Sequence, residues 1–468
     1  PTRRPSPLTP RPTATVTPES TALVELAASD YNVANSQDDD YGAVDLTVVD
    51  TYIGSYNTGG TASEWRRCLE FFNMDVAEYK KREAIASGRG AERKRVPVKK
   101  LPGMSVGLFD YQLMGVLNLL RFILNDVPGG LLCDEQGLGK TQEIYGLIAL
   151  VSGLRRARAE VLAAWRKEET SSSSSSSSRR GAKPKHNPPD TRARTCPFDE
   201  RYGFRCYCYY ELTKQLADRI PDGPNVIVAP ARNCGPMLKD AKAKLDTKVL
   251  KIKGCYEGVD KDDKLSSSEV RALSATVTAK KRSNGETIYH FQPGATSQGE
   301  YVIVVSPSSL FCLASQFMAD VEQTRLSALL PSVIILDEFH EHIDKGRETI
   351  NWLQYVKDRA ESSHLPPSLT YFVSGTPFGE TIADISPAIS HLEQRIWSRN
   401  AFHPLNDATR AAFDNLINTF DRLRASQANG DVVPPDEILA YRRRLDAVLK
   451  NVMVRRIGTD AFQGRPLT

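Results

Sequence analysis

The stretch GGLLCDEQGLGKTQEIYGLIAL, residues 129–150, joins a short apolar run to a glycine-rich turn and then to apolar residues at helical spacing. Such a turn between a buried strand and a helix presents successive backbone N–H groups to one point, where the helix dipole adds positive potential. Gly137 and Gly139 permit the tight turn, Lys140 can reach terminal phosphates, and the Thr141 hydroxyl can ligate magnesium. The pattern indicates a nucleoside triphosphate loop, with an ordinary helix start as the alternative.

The rest of the chain alternates strand and helix patterns, as an open parallel sheet requires. Most of the strand runs are apolar on both faces, which suits strands covered by helices on either side. The predicted strands are 130–134, 225–230, 248–254, 301–306, 332–338 and 369–375, and the predicted helices are 109–125, 139–152, 209–220, 308–326 and 347–361. Residues 381–453 read as three further helices. The predicted fold class is therefore α/β, a parallel sheet with helices on both faces.

Composition indicates a globular chain with room for two or three domains. Its 468 residues are 40% apolar and 25% charged, enough to bury a sizeable core. It has no apolar run of about 18 residues and no apolar secretory centre near its start, so neither a membrane span nor secretion is expected. Eight cysteines are too few for a disulfide scaffold and fit a reducing compartment. Since the first residue is not Met, we expect a fragment of a longer protein.

Three segments lack the apolar periodicity needed to pack. Residues 1–60 are rich in Pro, Thr, Ser, Asp and Gly, and residues 155–195 contain eight consecutive serines. Both are predicted to be disordered. Residues 91–100, AERKRVPVKK, carry five basic residues and one acidic residue, and their proline prevents a continuous helix. We predict an exposed linker there.

Two further strand ends carry polar groups. SVIILDEFH ends a predicted strand in Asp337 and Glu338, which places two carboxylates at the carboxyl edge of the sheet, where the glycine-rich loop also opens. Asp337 is placed to hold magnesium, and Glu338 to orient and deprotonate an attacking water. FVSGTP, residues 372–377, ends another apolar strand. The order GKT, DEFH, SGTP favours a nucleotide-hydrolysing site over three unrelated strand ends.

These motifs resemble those of the Swi/Snf-type (Snf-family) DNA translocases. DEQGLGKT is similar to that family's DEMGLGKT loop, so Asp134 is an expected residue where the common G-x-x-x-x-G-K-[ST] form has glycine. LFDYQLMGVLNLL (108–120) resembles the L-x-x-Y-Q-x-x-G-x-x-x-L element, DEFH the DEAH or DEGH box, and VSGTP the L-[ST]-G-T-P motif. VMVRRIGTDAFQGRPL (452–467) resembles the L-R-R-x-K segment that leads into a second lobe. The resemblance implies the N-terminal, RecA-like helicase ATP-binding lobe, a P-loop NTPase fold.

The resemblance also implies a role for each matching residue, with ATP and Mg²⁺ as cofactors. Gln112 would recognise adenine. The nucleotide-binding set would be completed by Asp134, Glu135, Gly137, Leu138, Gly139, Lys140 and Thr141. Lys140 and Glu338 would be catalytic, and Thr141 and Asp337 would hold the magnesium ion. The residues coupling the nucleotide site to the rest of the motor would be His340, Ser374, Gly375 and Thr376.

The resemblance covers about residues 103–468 and departs from the family at two places. EHIDKG follows the box where the family has R-x-K-N, and FGETIAD follows SGTP where it has P-[LI]-Q-N-[NS]. The family uses these positions to couple ATP to DNA and to the second lobe, so the sequence supports nucleotide binding better than coupling. The second lobe's Q-x-x-G-R-x-x-R element has no match, since Gln463-Gly464-Arg465 has the wrong spacing. We therefore expect the first lobe alone, with its flanks.

A cysteine cluster at residues 195–212 leaves two interpretations. Its candidate zinc ligands are Cys196, Cys206 and Cys208, with His186 nearby. Their C-x9-C-x-C spacing lacks the C-x2-C knuckle of a credible zinc site. We favour a segment anchored by its aromatic residues, with the thiols as packing groups. Those aromatic residues are Tyr202, Phe204, Tyr207 and Tyr209.

The partners follow partly from charge and partly from the resemblance. The net charge of +4 is modest, but RKRVPVKK could be a nuclear import signal or a row of DNA-backbone contacts, and a solvated linker is the alternative. The resemblance implies contacts to the duplex backbone near Pro230-Ala231-Arg232 and near Ser306-Pro307-Ser308-Ser309. We expect double-stranded DNA or chromatin and a second RecA-like lobe as partners, no membrane partner, and a nuclear location.

The predicted organisation is a disordered tail (1–60), a helix and basic linker (61–102), the RecA-like lobe (103–400, with the insertion 155–195) and a helical extension (401–468) that leads to a second lobe. The predicted function is the ATP-binding lobe of a superfamily 2, Swi/Snf-type double-stranded-DNA translocase in chromatin remodelling or repair. Two alternatives stay open: a non-catalytic interaction module that keeps a nucleotide-binding fold, and a DEAH-type RNA helicase lobe.

Overall fold

The computed structural model describes residues 55–80, 95–174, 201–292, 296–321, 324–341, 347–378, 382–392, 407–463 and 465–467. The chain divides into two units, Pro1–Val44 and Asp45–Thr468, and every described residue belongs to the second.

The helices and strands alternate through most of the described chain. The helices are α1 (Ala62–Phe71), α2 (Asp110–Arg121), α3 (Lys140–Ser174), α4 (Glu211–Arg219), α5 (Ala231–Lys244), α6 (Ser267–Leu273), α7 (Leu310–Gln316), α8 (Arg347–Ser362), α9 (Ser386–Leu392), α10 (Asp407–Ala428) and α11 (Pro435–Leu449). The strands are β1 (Gly129–Leu132), β2 (Asn225–Val228), β3 (Lys251–Cys255), β4 (Thr276–Lys281), β5 (Thr287–Gln292), β6 (Tyr301–Val305), β7 (Met318–Val321), β8 (Thr324–Ser327), β9 (Val333–Asp337), β10 (Leu369–Val373), β11 (Met453–Val454), β12 (Ala461–Phe462) and β13 (Arg465–Pro466). None of the helices in the described ranges is both long and apolar enough to cross a bilayer.

Within the described residues, seven parallel strands form one sheet in the order β11-β1-β10-β9-β2-β6-β3. The strands β1, β2, β6 and β10 are buried at every position, as strands covered on both faces must be. The α/β fold with a parallel sheet, as predicted from the sequence, is confirmed. Because β10 lies between β1 and β9, the three strands that end in the predicted motifs are direct neighbours.

The helix after the glycine-rich loop is longer than predicted. Helix α3 continues through Ser174, so the prediction of disorder is wrong for residues 155–174. Residues 154–169 are rich in Leu, Ala, Arg and Glu, which are strong helix formers. The remainder of the predicted insertion, 175–195, lies outside the described residues.

The segment 308–326 is not one helix, contrary to prediction. Helix α7 ends at Gln316, and β7 and β8 follow it as an antiparallel pair. A second hairpin, β4–β5, was not predicted from the sequence. Its turn contains Asn284-Gly285, with Gly285 at a φ of +83°, and Asn-Gly between β-branched runs is a hairpin signal.

Beyond residue 380 the described residues form α9, α10 and α11, in agreement with the helical prediction for 381–453, but the chain then returns to the sheet. Strand β11 pairs with β1. Tyr56 and Arg455 exchange two backbone hydrogen bonds, of 2.9 and 3.0 Å, just beyond this strand. Residues 55–60 therefore pack on the lobe and are not part of a disordered tail; residues 1–54 lie outside the described ranges.

The basic segment also packs, at least from residue 95. Arg95 Nη1 donates to Asp110 Oδ1 at 2.6 Å, and its Nη2 donates to the carbonyl of Arg465 at 2.7 Å. Lys99 Nζ donates to the carbonyl of Phe72 at 2.9 Å. Arg95, Val98 and Lys99 are partly buried, whereas Val96, Pro97 and Lys100 are exposed as predicted. Residues 91–94 lie outside the described chain.

Candidate active site

The glycine-rich loop connects β1 to α3 in the predicted manner. Gly137 has a φ of +96° and Gly139 a φ of +84°, a left-handed conformation that glycine adopts without strain. A Cβ atom at Gly137 would meet nothing within 4 Å, so the loop surface is open there. Helix α3 begins at Lys140, directly after the loop, and the N-terminus of a helix favours anions.

Lys140 lies across the loop and touches the neighbouring motif. Its Nζ donates to the carbonyl oxygens of Asp134 at 3.0 Å and of Glu135 at 3.4 Å. A Cβ atom at Gly375 would lie 3.1 Å from the same Nζ. Any larger residue at 375 would therefore press on Lys140, so the SGTP turn and the loop share one surface.

The two carboxylates of DEFH lie at the end of β9. Burial raises the pKa of Asp337 to about 6, Glu338 adds to the rise, and Lys140 opposes it. Glu338 has a φ of +49°, a left-handed conformation that costs a non-glycine residue roughly 1–3 kcal/mol and persists where the surrounding structure enforces it. Asp337 and Lys140 thus interact electrostatically at the carboxyl edge of the sheet.

A short hydrogen-bonded chain joins DEFH to SGTP. His340 Nδ1 lies 2.8 Å from Ser374 Oγ and 3.5 Å from Glu338 Oε2. Ser374 is fully buried, and its Oγ accepts from the backbone N–H of Thr376 at 3.0 Å. Its own N–H donates to the carbonyl of Leu132 at 3.1 Å. Ser374 therefore contacts both the strand that leads into the loop and the histidine of the box.

Gln112 is held against the loop rather than exposed. Its Oε1 accepts from the N–H of Phe109 at 3.1 Å, and its Nε2 donates to the carbonyl of Leu138 at 3.2 Å. A Cβ atom at Gly139 would lie 2.4 Å from this Nε2, so the loop glycine makes room for the amide. Tyr111 donates to the same Leu138 carbonyl at 3.0 Å. The element with the predicted adenine contact thus supports the loop directly.

Asp134 differs from the prediction. Its side chain is fully buried beneath the loop and binds Arg456, whose guanidinium also binds Glu143. The Asp134 carboxylate therefore cannot contact a nucleotide; only its carbonyl, bound to Lys140, belongs to the loop surface. Sequence reasoning missed Glu143 and the role of Arg456, although a charged pair of arginines directly after the apolar VMV run was a visible signal.

An ion pair that was not predicted connects two further motifs. Arg232, at the start of α5, pairs with Glu341, four residues after Asp337. Arg232 is one of the residues at which the resemblance places DNA contacts, and Glu341 opens the divergent EHIDKG segment. The pair therefore links the DEFH box to the end of β2; residues 342–346 lie outside the described ranges.

The cysteine segment is packed by its aromatic residues. Tyr202, Phe204 and Tyr207 are buried, and the Phe204 and Phe71 rings stack with centroids 5.9 Å apart. Cys206 is buried with them. No group of three potential metal ligands occurs among the residues whose placement is described; Cys196 and His186 lie outside them.

The side chains at this edge fit a magnesium-bound triphosphate. The open loop and Lys140 offer positive groups to phosphate oxygens, and the Thr141 hydroxyl and the Asp337 carboxylate offer the oxygen ligands that Mg²⁺ prefers. A carboxyl group whose pKa is raised by burial and by a neighbouring carboxylate gains a partner when a cation binds. These groups have the charge and the oxygen ligands that a magnesium-bound triphosphate requires.

Comparisons with known proteins give little beyond this. No protein-family model matches the chain, and no curated protein matches it. Among solved structures, the yeast DEAD-box splicing factor Prp28 is similar at 14% sequence identity and a TM-score of 0.25, over 67% of this chain. The chain spans 55% of the length of that structure. A similarity of this size carries no argument about activity.

Proposed function

We propose that this chain binds Mg-ATP in the loop of residues 133–141 and forms the ATP-binding lobe of a Swi/Snf-type, double-stranded-DNA-dependent ATPase. One observation carries the proposal. The neighbouring strands β1, β10 and β9 bring the loop, SGTP and DEFH to one edge of the sheet, where Lys140 lies close to Gly375 and lowers the pKa of Asp337.

Each residue has a role that its position supports. Bound Mg-ATP would supply the phosphoanhydride to be cleaved and a cation that neutralises developing charge. The loop N–H groups and Lys140 would bind phosphate oxygens, and Thr141 and Asp337 would hold the metal ion. Glu338 orients the attacking water and accepts its proton. His340, which contacts both Ser374 and Glu338, would hold Glu338 in position relative to the loop.

The finer assignment to the Swi/Snf type is supported by a contact between two motifs of that resemblance. Asp134 belongs to DEQGLGKT, and Arg456 belongs to VMVRRIG, more than 300 residues later. The two side chains bind each other in the core. Their pairing gives a physical reason for an aspartate at position 134 and an arginine at position 456 to occur together.

The partners and the location belong to the same proposal. We expect duplex DNA to contact the lobe near Arg232 and near residues 306–309, and a second RecA-like lobe to close over the loop. Chromatin or damaged DNA would then be the substrate, in the nucleus. The side chain of Arg232 is exposed, and its ion pair with Glu341 connects this proposed DNA contact to the segment that follows the DEFH box.

The test is an ATPase assay on the chain joined to a second lobe, with duplex DNA, with structured RNA and without nucleic acid. Stimulation by duplex DNA is the expected result. Stimulation by RNA alone would support the RNA helicase alternative. ATP binding without turnover in any condition would support the non-catalytic module, and absence of ATP binding would overturn the proposal.

A further inference from the structure

A fully buried charge cluster lies directly beneath the loop. Arg456 Nε lies 3.1 Å from Asp134 Oδ1 and 3.0 Å from Oδ2. Arg456 Nη2 binds Glu143 at 2.5 and 2.7 Å, and Nη1 binds the carbonyl of Tyr111. All three charged side chains are 0% exposed, so their charges interact with little screening by water.

The cluster is tied to the loop through the backbone as well. The N–H of Glu135 donates to the carbonyl of Arg456 at 2.8 Å, and the N–H of Arg456 donates to Asp134 Oδ1 at 2.9 Å. The carbonyl of Asp134 accepts from Lys140 Nζ. Asp134 therefore contacts both Arg456 and Lys140, the lysine predicted to bind phosphate. Glu143 lies with Lys140 in the first turn of α3.

The surroundings leave this arrangement little freedom. A Cβ atom at Gly115 would lie 2.2 Å from Glu143 Oε2 and 2.8 Å from Arg456 Nη2. Helix α2 thus packs directly against the cluster. Burial raises the pKa of Glu143 and Arg456 opposes the rise, so the two carboxylates depend on this one guanidinium for charge compensation.

We infer that Arg456 is a positioning residue for nucleotide binding, which holds the loop from beneath and offsets the charge of Asp134 and Glu143 under the phosphates. The inference rests on the proposed function. Without Arg456, the cluster would keep a buried negative charge on Asp134 or Glu143 with no cation to offset it, below an anion-binding loop, and this charge would repel phosphate. The guanidinium is fully occupied by this role, so Arg456 does not act as a transition-state arginine.

The test compares the affinities for ATP and adenosine in the full chain, by competition against a fluorescent ATP analogue. Arg456→Gln is expected to lower the ratio of ATP affinity to adenosine affinity by about tenfold or more, since one tenfold step corresponds to about 1.4 kcal/mol. Adding Glu143→Gln removes a buried carboxylate and should recover part of this loss. A residue with only a structural role would not change the phosphate-dependent ratio.

Arg155→Gln is the matched control. Arg155 is 1% exposed, lies on the same helix α3, and binds Asp222 at 3.1 Å and the carbonyl of Gly223 at 2.7 Å. We expect it to lower the thermal midpoint while leaving the affinity ratio unchanged. All titrations are made below each variant's midpoint, and Arg456→Lys is measured in the same way should Arg456→Gln not fold.

The outcomes separate the two proposals. A parent chain without ATP affinity overturns the proposed function and this inference with it. A parent that binds ATP, together with an Arg456 variant of unchanged ratio, overturns only the role of Arg456. An equal fall of the ratio in Arg155→Gln also overturns it, because general destabilisation would then explain the effect.

Discussion

Lys140 is the residue on which the nucleotide assignment depends most directly. Its ammonium group binds two loop carbonyls, and Lys140 is not among the buried residues of the core. Lys140→Ala is therefore expected to abolish ATP binding, measured by calorimetric titration, while the thermal midpoint stays close to that of the parent. Lys248→Ala, at an exposed turn distant in sequence, is the control. Unchanged ATP affinity in Lys140→Ala would show that the loop does not bind phosphate.

Glu338 differs from its neighbours in backbone conformation and in expected role. Glu338→Gln keeps the size and polarity of the side chain but removes its ability to take a proton. In a protein with both lobes, ATP and DNA binding should persist while turnover falls by about 10²–10⁴, the usual contribution of a general base. The assay is steady-state phosphate release, with the exposed Glu257→Gln as control. Equal turnover in Glu338→Gln and the parent would remove Glu338 from water activation.

His391 makes the stability of the lobe depend on pH. Burial, aided by Lys357, lowers its pKa to about 3, and its Nε2 lies 3.1 Å from Thr370 Oγ1. Below pH about 6.5 the unfolded chain binds a proton that the folded chain resists, so the free energy of unfolding falls, by at most about 1.4 kcal/mol per pH unit.

Urea unfolding between about pH 7 and about pH 5 measures this effect. The parent should lose more stability over this interval than His391→Gln, which lacks the titrating ring. A loss of the same size in both proteins would mean that His391 does not contribute to the acid sensitivity.

At the scale of elements, the close contact between α2 and α3 decides whether the loop is supported. Gly115 of α2 leaves no room for a Cβ atom beside Glu143. Gly115→Ala should therefore destabilise the fold by about 1–3 kcal/mol, as overpacking does. In urea unfolding, Gly60→Ala is the control, since a Cβ atom there makes only ordinary contacts, the nearest at 3.5 Å. Similar stabilities for both variants would contradict the tight α2–α3 contact.

Most of the sheet strands could be predicted from the local pattern of apolar and β-branched residues. The runs predicted as β1, β2, β6, β9 and β10 are strands in the structure, with ends shifted by one or two residues. Their β-branched and apolar residues have the same preference in isolation and in the sheet. The prediction of one helix over residues 308–326 is wrong because the apolar spacing of this segment fits a helix as well as two short strands. The pairing of β7 with β8 decides between the two structures.

At the scale of the whole molecule, we expect the 468-residue chain on its own to hydrolyse ATP very slowly. Arginines contributed by a second wall of the cleft accelerate related phosphoryl transfers by roughly 10³–10⁵, or about 4–7 kcal/mol of barrier. Arg456 is occupied in the core and Arg455 is 7% exposed, so neither can fill this role. We predict weak Mg-ATP binding and near-background hydrolysis, with little stimulation by duplex DNA.

A steady-state ATPase assay with and without duplex DNA checks this, on the chain alone and on a protein extended by a second lobe. Turnover should rise by orders of magnitude in the extended protein. Robust DNA-stimulated turnover by the chain alone would contradict the expectation and would mean that an arginine within residues 1–468 completes the site.

The sequence alone determined the fold class, the loop and the positions of Lys140, Asp337, Glu338 and Ser374. These depend on contiguous motifs and on strands that runs of five or six apolar residues identify locally. Parallel strands must then bring their carboxyl ends to one edge of the sheet. Because all three motifs follow parallel strands, the sequence also predicts that the loop, DEFH and SGTP lie at the same edge.

Only the tertiary structure decided what supports that edge. The pairing of Arg456 with Asp134 joins residues 322 positions apart, and that of Arg232 with Glu341 joins residues 109 apart. The basic segment reads as an exposed linker until Arg95 is seen to bind Asp110 and the carbonyl of Arg465. A charged side chain carries no local signal of its partner, because the free energy that buries it comes from groups that folding brings together from distant parts of the chain.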